Sequence, residues 1–484
     1  MVANRRKNND FYFALCCLFL LLPSLSCNKL VSVPLPISSV TTGQVYSSDP
    51  TATAAMLGIY SYMNTSRSWS NSYTSIYLAL SADELTDQPS GGEKYDQFLS
   101  NDLSTIQNST RVLQAFWQPA YFEIYSANAV ISGVQSSTAN VSSGTKNQLT
   151  GEAKFIRAFC YFYLTNIFGD VPLNLSTDFN QTVLLHKSPQ AEVYNQIVND
   201  LQDAQNLMIS DFSLSGGMPI RANKWAATAL LARVYEYLGK WQSADSAANA
   251  VISSGLFNLV PLPVVPEVPP NVNSDSDAFS ANSREAILQL QTVNSSPWCT
   301  WEGNWFIPVF NPNEWLSSQL VNAFEPGDFR WSQWVASEVR RGNLYYYPYK
   351  YKIRQGSPGT PSPENYTLLR FAEQYLIRAE AETNLGNRSD AINDLNVIRN
   401  RAGLPNYSDS ANGPLMQAIQ HEKRIEFFAE WGHRWLDIKR WGIAIQTLDT
   451  IPYKRPNIDS TQLLYPIPIL EIQTDPNLTQ NKGY

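Results

Sequence analysis

The sequence predicts a mainly α fold: tetratricopeptide-like helical hairpins forming a scaffold, with a large insertion of loops and short strands. Three observations carry this. Two segments share one spacing of glycine and alanine inside an apolar helical pattern. Four further stretches repeat apolar residues at helical intervals. Between them, residues 260–277 hold Pro261, Pro263, Pro266, Pro269 and Pro270, a run that no single helix accommodates. The composition agrees with a packed chain: of 484 residues, 44% are apolar and 16% charged, which argues against disorder or a coiled coil.

The N-terminus reads as a targeting segment. Arg5, Arg6 and Lys7 precede an apolar run over 11–22, too short to span a bilayer as a mature helix. Leu25-Ser26-Cys27 follows. A small residue before a cysteine at the end of such a run has the form of a bacterial lipobox, although Ser24 stands where a leucine is commonest. The expectation is a signal peptide over 1–26 and a mature chain beginning at Cys27, diacylated through its sulfur. Plain secretion with a free cysteine is the other reading. Cleavage removes Arg5, Arg6, Lys7 and Asp10 and changes the charge balance from −7 to −9. That leaves no footprint for nucleic acid. Cys16 and Cys17 leave with the peptide, so Cys160 and Cys299 remain, either as a disulfide or as two separate buried thiols. No later stretch is long and apolar enough to anchor the chain in a membrane.

Helices are expected over 52–63, 112–134, 150–167 and 192–208. The first repeated segment, 225–251, has Leu238-Gly239 and then Ala244; the second, 371–398, has Leu385-Gly386 and then Ala391. In both, the alanine stands five places after the glycine. The glycine ends one helix and the alanine lets the next pack closely, as in helical-hairpin repeats. A stack of such hairpins offers a long surface to a partner. The hairpins are placed at about 50–255 and 366–442, with the insertion at about 256–365 and its return loop at 356–363.

Three blocks point further. Glu152-Ala153-Lys154-Phe155-Ile156-Arg157-Ala158 leads through Tyr161-Phe162-Tyr163-Leu164 to Phe168-Gly169-Asp170-Val171-Pro172-Leu173. Glu422-Lys423-Arg424-Ile425-Glu426-Phe427-Phe428 runs into Trp431-Gly432-His433-Arg434-Trp435-Leu436-Asp437-Ile438-Lys439-Arg440-Trp441-Gly442. The chain closes with Tyr465-Pro466-Ile467-Pro468 and 475–484. In this order, and after a lipobox, they resemble the SusD/RagB family of Bacteroidetes outer-membrane lipoproteins. The resemblance spans the mature chain as one domain, 27–484. It implies an outer-membrane, lipid-anchored and surface-exposed protein that captures glycans, or peptides in RagB-like members. It implies a partner too: a SusC-like TonB-dependent transporter, over which the protein sits as a lid and to which it passes oligosaccharide. Asn28-Lys29-Leu30-Val31 lacks the acidic run that often marks surface export, so anchoring is the firmer expectation.

The resemblance assigns no catalytic residue, no metal and no cofactor. Three histidines, His186, His421 and His433, could barely furnish a metal site. Glu422 and Glu426 could be read as the carboxylates of a polysaccharide hydrolase, but adjacent turns of one helix put both on one side of a substrate. His421-Glu422 opens like a zinc motif, with Ile425 where the second histidine belongs. For ligand, sugar recognition needs flat rings and hydrogen-bonding groups. The residues offered are Trp298, Trp301 and Trp305 with Glu302 and Asn304, and Tyr95 and Phe98 with Asp87, Gln88, Glu93, Lys94 and Asp96. Trp69 with Tyr73, and Tyr345 to Tyr347, are further aromatic candidates. Packing inside the insertion is the alternative for the three tryptophans.

Overall fold

The computed structural model describes residues 41–484 apart from 66–67, 71, 88–94, 105–109, 139, 264–276, 293–295, 310–313 and 456–457. The targeting segment, Cys27, Gln88, Glu93 and Lys94 lie outside the described residues. Residues 41–45 hold one helical turn, Thr42–Val45, in a unit of their own; all that follows concerns 46–484.

The chain is mainly α. Helix α1 (Asp49–Met63) starts at Ser48, whose side chain accepts from the Thr51 N–H at 3.4 Å. Helix α2 (Ser72–Ser81) follows, then α3 (Thr110–Ser136), α4 (Ser143–Phe168) and α5 (Gln190–Leu207). The first repeated segment becomes α6 (Lys224–Tyr237) and α7 (Trp241–Ile252). The second becomes α9 (Phe371–Leu385) and α10 (Arg388–Arg401), with α8 (Trp301–Phe306) between them in the insertion. Two more helices, α11 (Leu415–Glu426) and α12 (His433–Arg440), carry the last long block.

From α3 to α7 each helix packs on the next in the chain, and α7 then packs on α9 and α9 on α10. The two hairpins are therefore neighbours despite the insertion, which is compatible with a tetratricopeptide-like stack. The glycine–alanine spacing explains the contact. Gly239 and Gly386 have φ of +63° and +84°, the left-handed backbone that ends a helix and that side chains resist. Ala244 and Ala391 are fully buried where the returning helix crosses its partner. Ala232, Ala244, Ala247 and Ala248 form one cluster with Ile377 and Ala381 of α9, small enough for close approach. Arg233 of α6 pins it, donating to both carboxylate oxygens of Glu373 at 2.5 and 2.8 Å.

The insertion holds more helix than expected. Trp301–Phe306, Ser318–Val321 and Phe329–Trp334 are short helices begun by Thr300, Ser317 and Asp328, whose side chains accept the first free N–H groups. Its strands are short. β1 (Leu85–Asp87) pairs antiparallel with β3 (Glu314–Leu316), Leu85 opposite Leu316 and Asp87 opposite Glu314. β2 (Ala286–Leu290) pairs with β6 (Tyr366–Arg370) and closes the neck of the insertion onto α9. β4 (Val335–Arg340) and β5 (Asn343–Pro348) make a hairpin whose turn, Arg341-Gly342, has positive φ at both residues, as a two-residue turn between twisted strands requires. Cys160 and Cys299 are separate buried thiols, donating to Glu123 and to the Arg354 carbonyl. The disulfide reading is set aside.

Candidate ligand-binding site

The β1–β3 pair brings two distant stretches of sequence together. Tyr73 comes from α2, Tyr95 from the segment after β1, and Trp305 from α8. Their rings meet edge to face, Trp305 at 6.1 Å from Tyr95 and 6.3 Å from Tyr73, and all three are half-buried. Tyr77 backs the group, stacked on Tyr73 at 5.5 Å. The Trp305 indole N–H donates to Glu314 Oε2 at 2.6 Å, which fixes the tilt of the ring. Glu314 is buried and its other oxygen has no hydrogen-bond partner among the described residues. Burial pushes its carboxyl up to about 8; the bond from Trp305 opposes this and the charge of Asp87 adds to it. The carboxyl is therefore protonated at neutral pH. On the same strand, Trp315 packs edge-on against Tyr345 at 4.7 Å.

The other expected residues fall elsewhere. Phe98 is a correction: it is fully buried, stacked on Tyr77 at 4.4 Å and packed on Tyr465 at 5.4 Å, so no face is open to a ligand. Glu302 is likewise interior. It accepts from the Ser75 hydroxyl and from Tyr366 at 2.9 Å, and burial raises its carboxyl to about 8. Trp301 spends its N–H on the Asn64 carbonyl at 3.1 Å, and Asn304 its amide on the Arg354 carbonyl at 3.0 Å. Both are half-buried ties between α8 and the frame. Trp69 is core, held by Glu123 at 2.8 Å. Trp298 lines a separate cleft. Tyr73 was undervalued in the sequence because its importance rests on contact with a residue 232 positions away.

A family model described as the SusD family matches residues 295–484. A second, described as starch-binding associating with outer membrane, matches residues 70–236. The chain belongs to the SusD/RagB family. A SusD-like protein of Formosa agariphila, P2, is 27% identical over 96% of this chain and 98% of its own. A solved SusD superfamily protein from Bacteroides vulgatus superposes with a TM-score of 0.75 at 22% identity, covering 90% of this chain and 99% of that one. Another solved structure, described as a laminarin-binding SusD-like protein, gives 0.70 at 24% identity over 91% of this chain and all of that one.

The SusD/RagB block at 422–442 forms a buried ion network. Glu422 is held by Arg330 at 2.6 Å and Arg399 at 3.3 Å. Glu426 meets Arg370 at 2.9 Å, Arg330 at 3.1 Å and Arg401. These arginines hold Glu426 well below the usual carboxylate range, although burial works the other way. Both carboxylates are fully buried, so the pair does not stand as two open groups across a sugar. Arg424 and Arg434 grip Asp83 at 2.6 and 2.8 Å, tying the block to the end of α2. His421 lies 3.7 Å from Glu325, and His433 stacks on Phe427. Among the described residues no cluster of histidine, cysteine and carboxylate is placed to hold a metal.

Proposed function

We propose that this chain is a lipid-anchored, glycan-binding protein of the outer membrane. It captures oligosaccharide at the Tyr73–Tyr95–Trp305 cluster and delivers it to a SusC-like TonB-dependent transporter. The carrying observation is the cluster itself: three half-exposed rings from three segments, with Trp305 locked by Glu314. Flat rings of fixed tilt suit the C–H faces of pyranoses, and a peptide has no such repeated face. The family description as starch-binding and outer-membrane-associating supports the same reading, as does the laminarin-binding relative of like fold. Anchoring through Cys27 supplies the membrane attachment.

Affinity electrophoresis of the mature chain through gels containing laminarin, starch or other polysaccharides tests the binding. Retardation by at least one polysaccharide is expected, reduced about tenfold in affinity by Trp305→Ala and by Tyr95→Ala. Equal mobility in every gel would sink the glycan reading. Capture of a TonB-dependent barrel on the immobilised protein tests the partner. Release of reducing ends by the purified chain, abolished in Glu422→Gln, would restore the hydrolase alternative.

A further inference from the structure

A cleft of about 850 Å³ opens where six stretches of chain meet, and it shares no lining residue with the Tyr73–Tyr95–Trp305 cluster. Its walls are the last turns of α1, the 214–221 loop, the segments on either side of β2, Trp298, and the return loop at 359–365. Its size lies within the range of ligand pockets, ~300–1,000 Å³. We propose that this cleft is a second carbohydrate subsite that takes a neutral stretch of oligosaccharide. The proposal rests on the glycan-binding reading above.

Charge selects the ligand class. Among the described residues no carboxylate lines the cleft, and the one cation there, Arg221, is already engaged. Arg221 donates to Glu152 through Nη2 at 2.5 Å and through Nε at 3.3 Å, and Glu152 is wholly buried. A uronate or sulfate entering here would shed its water and meet no free counter-charge. A neutral sugar meets what it needs. The Asn282, Gln291 and Asn365 amides set donors beside acceptors, and Thr360 adds a hydroxyl. Trp298 is half-buried and its indole N–H has no hydrogen-bond partner among the described residues, so ring and donor are both available. Leu57 and Leu214, 42% and 50% exposed, supply apolar surface for C–H faces.

The walls are built in advance. Buried Gln289 stitches two of them to β2: its N–H reaches the Pro219 carbonyl at 2.7 Å, its amide donates to the Ser280 carbonyl at 2.9 Å, and its Oε1 accepts from the Asn282 N–H at 2.9 Å. Asn365 Oδ1 accepts from the Thr292 N–H at 3.1 Å, and the Tyr60 hydroxyl from the Ala222 N–H at 3.0 Å. Such a cleft loses little freedom on binding. Trp298 itself sits at φ +55°, a costly conformation for a bulky side chain. It rests on Gly356, where any Cβ would come 2.0 Å from the Trp298 carbonyl oxygen. Strain held in place this way gathers at ligand sites.

Calorimetric titration of the full mature chain with laminarihexaose, maltoheptaose and cellohexaose, and with oligogalacturonate as an acidic probe, tests this. Trp298→Ala, Asn282→Ala and Thr360→Trp are compared with wild type and Trp305→Ala. Thr360 is exposed, so its variant fills the mouth without touching the core. At least one neutral probe is expected to lose about tenfold in affinity, or one unit of stoichiometry, in the Trp298 and Thr360 variants, with binding still measurable in Trp305→Ala. If a neutral probe binds wild type and those variants alike, the cleft proposal is overturned and the aromatic cluster stands. If no probe binds wild type, the glycan reading falls and the cleft with it. Oligogalacturonate bound tighter than the neutral probes, and lost in Trp298→Ala, overturns the neutral assignment.

Discussion

Glu314 shows how one buried carboxyl sets both the shape of the site and its response to pH. The folded chain keeps its proton up to about 8, whereas an unfolded chain releases it near 4.5. Between those values the folded state binds the extra proton, so the contribution of this group to stability is fully present below pH 4.5 and is lost as pH rises toward 8. Glu302 and Glu364, also raised to about 8 by burial, slope the same way. Glu314→Gln keeps an acceptor for Trp305 but cannot titrate. Thermal melts followed by circular dichroism at constant ionic strength should then show a shallower decline in Tm from pH 5 to 8 than wild type. An unchanged slope would remove Glu314 from the account. At this scale the sequence was only partly legible. Trp305 and Tyr95 were singled out as flat rings beside hydrogen-bonding groups, but Phe98 read the same way and faces inward. Ring count does not say which side of a ring is covered.

Among the elements, the hairpins were legible because their signal is local. A left-handed glycine and a small residue five places on both act within one turn of the helix boundary. Ala244→Leu forces extra methylenes between α7 and α9, where the alanine is fully buried. Overpacking of this kind costs about 1–3 kcal/mol. It should appear as a lower urea midpoint with unchanged slope, and Ala391→Leu should behave alike; midpoints equal to wild type would mean that the crossings are loose. Helix α2 went unread for the opposite reason. Every residue of Ser72–Ser81 but Tyr73 is buried, and five of those nine (Ser72, Thr74, Ser75, Tyr77 and Ser81) carry hydroxyls. Apolar periodicity requires a solvated face, and this helix has almost none.

The whole molecule is tied through its charges. Arg370, at the end of β6, donates to Glu285 at 2.6 Å, to Glu426 at 2.9 Å and to Glu430 at 2.9 Å. Lys350, from the insertion, joins Glu430. One guanidinium thus holds the insertion's neck to the C-terminal block. Arg370→Met leaves buried carboxylates uncompensated and should cost about 3–5 kcal/mol in urea unfolding. Arg388→Ala, which removes an exposed pair with Asp409, should leave the midpoint nearly unchanged. Comparable losses in the two variants would show that burial does not set the value of these pairs.

The sequence by itself determined the helical class, the two repeated hairpins and the family. Each is written in short-range spacing or in blocks of contiguous residues, where neighbours in the chain are neighbours in space. The tertiary structure alone decided which aromatics face outward, that Glu302 and Phe98 belong to the interior, and that Trp298 and Trp305 line different surfaces. Those outcomes depend on contacts such as Trp305 with Tyr73 and Trp301 with Asn64, between residues more than 200 positions apart. A side chain's exposure is set by whatever the rest of the fold brings against it.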